Sequence, residues 1–339
     1  MDAVDALSEI AFWLERDLAP TFKVQAFRRA ATLIAGLDAD ELADRVHDGR
    51  LRAMKGIGGR TAEVIGQSLY GLPDYLDNLR QQGRHPLASG GQDLLVALRG
   101  DLHSHSEWSD GTTPIDLMVS TARMLGRDYL ALTDHSPSLT VAQGLSADRL
   151  REQLDVVAAV NTAADDDFRL LAGIEVDILE DGRLDQAPEL LDRLDVVVAS
   201  VHSKLREDSI TMTRRMLAGI RDRHTNVLGH CTGRLVSGSR GTRPPSTFDA
   251  ARVFAACAEN DVAVEINCRP ERQDPPEDLI RRAIEAGCLF SLDTDAHAPG
   301  HLDFLSYGAE RAAASGVPPD RIVTTWPVDR LLDWSRAGQ

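Results

Sequence analysis

Cysteine is scarce in this chain, and the little there is stands apart. The 339 residues contain four cysteines, Cys231, Cys257, Cys268 and Cys288, with no CxxC pair and no disulfide-like spacing. That excludes a thiolate zinc knuckle and a stapled secreted fold, and it predicts a reducing, cytoplasmic setting. Long apolar runs are missing too: nothing approaches the roughly 18 residues that a membrane span needs. The opening MDAVDALSEIAF carries acids where a signal peptide carries Lys or Arg, so export is not expected. Positive charge is also short. The 37 Lys and Arg face 53 Asp and Glu, for a formal net charge of -16, which argues against a generic nucleic-acid sponge. The shortage is uneven. Residues 200–245 hold nine basic against three acidic side chains, whereas residues 1–90 hold 11 against 13. A basic segment in an acidic chain fits a phosphate-facing patch beside bound divalent metals, or a solvated helix face.

What is present falls into two textures. Residues 4–80 place apolar side chains at helical spacing in VDALSEIAFWLE, FKVQAFRRAATLIAGL and ADELADRVHDGRL. MKGIGGRTAEVIGQSLYG then puts Gly56, Gly58 and Gly59 in a tight turn ahead of another helix. Such a turn leaves backbone amides free at a helix N-terminus, where phosphate can sit; a plain helix connection is the alternative. Residues 81–98 read as a linker, rich in Gly and polar residues at its start. From residue 99 short apolar runs alternate with helical stretches. Seven candidate strands end at DLHSH, YLALTDH, RLLAGIEV, DVVVASVH, NVLGH, VAVEIN and CLFSLDTDAH. That alternation predicts a parallel sheet, better closed into a barrel than left open. The expected organisation is therefore a helical domain over 1–80, a linker over 81–98 and an α/β domain over 99–339.

The ends of those strands carry the chemistry. They hold His103 and His105, His135, Glu175, His202, His230, and Asp295 with His297, while Asp110 follows the first pair in SEWSDG. Six of the ten histidines sit at strand ends; His47, His85, His224 and His301 are scattered. In parallel α/β folds active sites are built at the C-terminal ends of strands. Singly, His135 and Asp295 could cap helices and His202 could be a satisfied core group. Jointly, six imidazoles and three carboxylates at one barrel mouth are costly to bury unless metals neutralise them. The donors are all nitrogen and oxygen, which suits Mn²⁺, Zn²⁺ or Fe²⁺. Nine donors exceed the needs of one ion and suit two or three.

In this order, HSHSEWSDG, TDHS, GIEVDI, SVHS, GHCTGRL, EIN and DTDAH resemble the PHP (polymerase and histidinol phosphatase) domain over residues 99–335. GHCTGRL, HLDFLSYGAERAAASG and TTWPVDRLLDW are most similar to the PHP module of bacterial X-family DNA polymerases. FKVQAFRRAA and KGIGGRTAEVI resemble the N-terminal helix-hairpin-helix domain of the same enzymes. The resemblance implies a distorted seven-stranded (β/α) barrel, preceded by a small all-α helix-hairpin-helix domain, and three divalent metals per chain. His103, His105, Glu175 and Asp295 would hold the first ion, Glu175 would bridge to a second with His202 and His230, and Asp110, His135 and His297 would hold the third. Lys204, Arg234 and Arg269 follow ligand motifs and either bind the scissile phosphate or carry surface charge. Lys55, Gly56, Gly58, Gly59 and Arg60 would cradle DNA phosphates.

Two departures narrow the function. The nucleotidyltransferase palm that separates the two regions in those polymerases is replaced by the linker, so no polymerisation is expected. GSRGT at 238–242 resembles a palm glycine motif only faintly and has no acidic partner pair in the expected order. Val64 stands where lyase-active relatives carry a lysine, so no Schiff base is expected on abasic DNA. The leading expectation is a metal-dependent phosphoesterase acting on DNA, a 3′-5′ exonuclease or 3′-end-processing enzyme of DNA repair, in which metal-activated hydroxide attacks phosphorus. The alternative is a histidinol-phosphatase-like phosphomonoesterase on a small metabolite. A repair scaffold with a vestigial barrel is disfavoured because the ligand set is intact. DNA is the expected partner, a membrane is not, and a monomer is expected.

Overall fold

The computed structural model of the chain describes residues 1–164, 167–238 and 241–337. It divides into two compact units, Met1–Pro86 and Leu87–Gln339, each with a core of its own.

The first unit is helical: α1 (Ala3–Arg16), α2 (Thr21–Ile34), α3 (Ala39–His47), α4 (Gly59–Ser68) and α5 (Asp74–Gly83). Helix α1 starts where the Asp2 carboxylate accepts the amides of Val4 and Asp5. Its apolar stripe of Leu7, Ile10 and Leu14 joins Phe27 and Ile34 of α2, Val64 and Ile65 of α4, and Leu76 of α5 in the core. Burying each of these larger side chains contributes roughly 1.5–3 kcal/mol. Two ion pairs tie the helices together, Glu9 to Arg80 at 2.7 Å and Glu15 to Arg28 at 2.8 Å. Ahead of α4, Gly56 has φ +107°, and a Cβ there would meet Leu33 Cδ1 at 2.8 Å. Only glycine fits that turn.

The stretch expected to be a linker is more ordered than its composition implied. Helix α5 runs through residues 81–83, the boundary between the units follows Pro86, and residues 92–97 form α6 (Gln92–Ala97) of the second unit. Glu310 accepts the amides of Ser89 and Gly90 at 2.9 and 3.0 Å. The polar residues near the second unit's start are thus bonded to its own surface.

The second unit carries seven strands: β1 (Gly100–Ser104), β2 (Tyr129–Leu132), β3 (Arg169–Asp177), β4 (Val196–Ser200), β5 (Val227–Leu228), β6 (Ala263–Asn267) and β7 (Phe290–Asp293). All pair in parallel, in chain order from β1 to β7. An isolated bridge from Ser104 to Ala296 brings the first strand against the segment after the last, and the His105 amide donates to the Ala296 carbonyl at 2.8 Å. The sheet is a nearly closed seven-stranded barrel.

Alternation along the strands separates two faces. Leu171, Val196, Val198, Val227 and Ala263 form one apolar cluster with Tyr129 and Leu102, which Val323, Trp326 and Leu331 of the C-terminal segment complete. Ile174, Val176, Val197, Ala199, Val264 and Ile266 belong to the larger core that includes the surrounding helices. The first parity is the one that carries Glu175, His202 and Glu265 further along the same strands. Apolar packing thus occupies one end of the barrel and polar groups the other. Among the described residues, no helix is long and apolar enough to cross a membrane.

Candidate metal centre

All nine of the expected ligands converge at the C-terminal ends of the strands. Strand β1 supplies His103 and the turn after it His105 and Asp110; β3 supplies Glu175 from within. His135, His202, His230, Asp295 and His297 follow β2, β4, β5 and β7 within a few residues. Their donor atoms form four overlapping groups, each with its atoms within 4.8 Å of one another: His103, His105 and Asp295; His103, Glu175 and His230; His135, Glu175 and His202; and His105, Asp110, His135 and His297.

Glu175 is the hub. One carboxylate oxygen lies 2.8 Å from His230 Nε2 and 3.2 Å from His202 Nε2. The other lies 2.9 Å from His135 Nδ1, 3.3 Å from His103 Nε2 and 3.6 Å from His105 Nε2. Asp110 Oδ1 stands 3.4 Å from His135 Nε2 and 3.3 Å from His297 Nε2. Asp295 Oδ1 stands 3.4 Å from His105 Nε2.

These atoms face one another without bonding. Both Glu175 oxygens, both ring nitrogens of His105 and His230, and the inward nitrogens of His103, His135 and His202 are buried with no hydrogen-bond partner. Orphaned buried polar atoms are rare in folded proteins, and so many at one point need an explanation. Divalent ions would supply it, because each would be the shared partner that several lone pairs lack. Electrostatics agrees. Burial works to raise the Glu175 carboxyl, but His103, His202 and His135 outweigh it and hold it well below the ordinary carboxylate range. Burial likewise pulls the His135 imidazole down, yet Glu175 and Asp110 raise it to about 10. His105 is pushed down to about 3 by burial and by His297 and His135 beside it, which leaves it neutral with a free lone pair. The carboxylates favour positive charge at this spot, which bound cations would supply.

The family description "PHP domain" matches residues 101–269, the span that holds seven of the nine convergent residues. This chain belongs to the PHP domain family. A second description, "Helix-hairpin-helix domain", matches residues 1–70. Among curated relatives, DNA polymerase/3'-5' exonuclease PolX of Bacillus subtilis is 34% identical over 246 residues, which is 72% of this chain and 42% of that protein. The chain thus spans under half of that relative's length. "Probable phosphatase YcdX" of Escherichia coli is 25% identical over 244 residues, or 69% of this chain and 92% of that protein. Among solved structures, a histidinol phosphate phosphatase from Lactococcus lactis matches with TM-score 0.44 and 19% identity, over 59% of this chain and 87% of that one. That likeness is too distant to bear on function.

The PHP barrel also holds its histidines from behind. Glu265 accepts from His103 Nδ1 at 2.6 Å, and its other oxygen accepts the His230 amide. Asp177 faces His202 Nδ1 at 2.5 Å. Arg272 donates to Asp295 Oδ2 at 2.8 Å, and Asn267 to the same oxygen at 3.2 Å. Such partners set ring orientation and aim the remaining nitrogen at the cluster. Sequence reasoning missed Glu265 and Asp177, although period-two alternation marks both. Asp177 follows Glu175 by two residues, and Glu265 follows the inward Ala263 by two. It also set His301 aside as scattered, whereas the His297 amide points to its Nδ1 at 3.3 Å.

The three expected phosphate binders part company. Lys204 is exposed with a left-handed φ of +53°. Arg269 is buried against the Asp295 carbonyl, His297 and Glu271, with its Nε unpartnered. Arg234 gives its guanidinium to the carbonyls of Arg272 and Gln273, so it braces a turn instead of facing the cleft. Arg243 and Arg272 line the cleft together with Asp110, His135, His202 and His230. Of GSRGT at 238–242, Ser239 and Arg240 lie outside the described residues.

In the helical unit, the Gly58 amide donates to Thr61 Oγ1 at 2.9 Å and Gly59 begins α4. Lys55 and Arg60 are exposed beside that turn. Arg60 pairs with Glu63 at 3.0 Å and lies over the Tyr75 ring. Val64 is fully buried in the core of this unit.

Proposed function

We propose that this chain is a metal-dependent phosphodiesterase that trims DNA ends, a 3′-5′ exonuclease or 3′-end-processing enzyme of DNA repair. One observation carries the reading: a helix-hairpin-helix domain and a PHP domain share one chain, of which 246 residues are 34% identical to a protein named both a DNA polymerase and a 3'-5' exonuclease. His103, His105, Glu175 and Asp295 would hold one ion, Glu175, His202 and His230 a second, and Asp110, His135 and His297 a third. Mn²⁺, Zn²⁺ and Fe²⁺ all suit the donors. Bound there, such ions acidify water and neutralise charge on a phosphoryl group. Glu175 keeps two sets of imidazoles at fixed separation, Glu265 and Asp177 hold ring tautomers, Arg272 holds Asp295, and Lys204 and Arg243 supply positive charge at the rim. The hairpin would position the duplex through Gly56, Gly58, Gly59, Lys55 and Arg60 without reading bases.

A phosphomonoesterase on a small metabolite is the second reading, favoured by the match along 92% of YcdX. Digestion of 5′-labelled single-stranded and recessed DNA with Mn²⁺, run beside a small phosphomonoester, separates the two. A ladder shortening from the 3′ end supports the phosphodiesterase; hydrolysis of the monoester alone supports the phosphatase. Primer-template with nucleotides should give no extension, and borohydride should trap no adduct on abasic DNA, because Val64 has no amine.

A further inference from the structure

The cleft above the metal ligands is two-natured. Its volume is about 350 Å³, within the range of small-molecule sites. The loops after β2 and β4 line it with Leu139, Val141, Val201 and Leu205. The segments after β5 and β6 line it with Arg243 and Arg272. Because the strands follow chain order around the barrel, the apolar and cationic sectors are distinct. The one acid in the lining is Asp110, already a candidate ligand.

Val141 is the unusual member. It is 91% exposed, the most exposed large hydrophobic side chain among the described residues. Yet the loop that holds it is pinned. The Leu145 amide donates to the His135 carbonyl at 2.7 Å, the Ser138 amide to Asp185 at 2.6 Å, and Arg149 to the Gln143 carbonyl at 2.8 Å. Gln143 takes a left-handed φ of +57°, and a Cβ on Gly144 would fall 1.9 Å from the Ser136 carbonyl oxygen. Backbone strain of this kind persists only where the surroundings over-determine it, and it gathers at functional sites. A rigid turn therefore presents a bare aliphatic side chain to water at the mouth of a metal cleft.

We propose that Val141, flanked by Leu139 and Leu205, is the shelf on which the terminal nucleobase rests while its phosphate lies over the metal ligands. This rests on the reading of the barrel as a DNA phosphodiesterase. A base has an apolar face and the adjoining phosphate is anionic, which matches an apolar sector next to a cationic one. A small cationic metabolite finds no spare carboxylate here. The shelf offers no hydrogen-bonding group, so it favours a base over no base without distinguishing the four bases.

The test uses the full chain with Mn²⁺ and two 5′-labelled single strands, one ending in a normal 3′ nucleotide and one in a tetrahydrofuran residue that lacks the base. The wild type should cut the base-bearing end roughly tenfold more efficiently, a ratio of the size that partly burying an aliphatic side chain against the face of a base gives. Val141→Ser should bring that ratio close to one through a higher KM, and Val141→Trp should enlarge it. Metal content and melting temperature establish that each variant is folded and loaded. A wild-type preference that survives Val141→Ser unchanged overturns the shelf while the phosphodiesterase stands. Hydrolysis of a small phosphomonoester with neither strand cut overturns the phosphodiesterase reading, and the shelf with it.

Discussion

The two units of this chain treat polar groups in opposite ways. In the helical unit every buried side-chain donor or acceptor has a partner, and its ion pairs, Glu9 with Arg80 and Glu15 with Arg28, close on themselves. In the barrel, nine orphaned atoms crowd into six residues, His103, His105, His135, Glu175, His202 and His230. The helical unit satisfies its own buried groups, whereas the barrel mouth gathers donors that metal ions would satisfy. A site that holds metal must keep unsatisfied donors in place, whereas a packed helical core need not. Strain follows the same division. Among the described residues six non-glycine positions have left-handed φ; Gln143, Lys204, Gln273 and Asp295 lie in the loops around the barrel mouth, and Leu18 alone lies in the helical unit.

The largest expected effect is at the hub. Glu175→Ala should remove two ions' worth of binding and lower hydrolysis by about three orders of magnitude or more, since each metal contributes several kcal/mol of charge stabilisation. Elemental analysis beside a rate measurement checks it, and full metal content with wild-type rate would refute the bridging role. The supporting carboxylates come next. Glu265→Gln and Asp177→Asn should each weaken metal binding by roughly 10–100-fold, the usual effect of losing a partner behind a ligand. Metal titration followed by the barrel's melting temperature reads this directly. If Glu265→Gln binds metal as the wild type does, Glu265 fills the barrel and does not orient His103. The smallest effect is expected in the other unit. Lys55→Ala with Arg60→Ala should weaken DNA binding several-fold and reduce the magnitude of the salt-dependence slope by up to about 0.9 for each phosphate that is no longer neutralised. Hydrolysis of a small phosphodiester should not change. A fall in that reaction too would mean that the two units do not divide into a separate DNA grip and hydrolytic barrel, as proposed.

Much of the site could be read before the fold was known, because strand ends are local features. TDH follows the apolar run YLAL and SVH follows DVVVA, and a parallel barrel has one face on which such ends meet. The supporting residues were less legible. Glu265 is buried inside VAVEIN, where a carboxylate reads as an interruption until the facing His103 is in place. His301 lies on a turn after β7 and gained its meaning only from packing beside His297. Arg234 looked like a phosphate binder from its position after a ligand motif, yet the 269–274 turn takes its guanidinium.

By itself the sequence determined the types of donor, their order along the chain, the alternation that makes seven parallel strands, and the glycine turn ahead of α4. These follow from short-range rules of side-chain alternation, helical spacing and backbone freedom. Tertiary structure decided which oxygen of Glu175 faces which imidazoles, which carboxylates stand behind them, and which arginines line the cleft. Those outcomes depend on strand register and on the near-closure of β1 against the segment after β7, where residues nearly two hundred positions apart in sequence, such as Ser104 and Ala296, come side by side. No local pattern encodes that meeting, because it exists only once the barrel has formed.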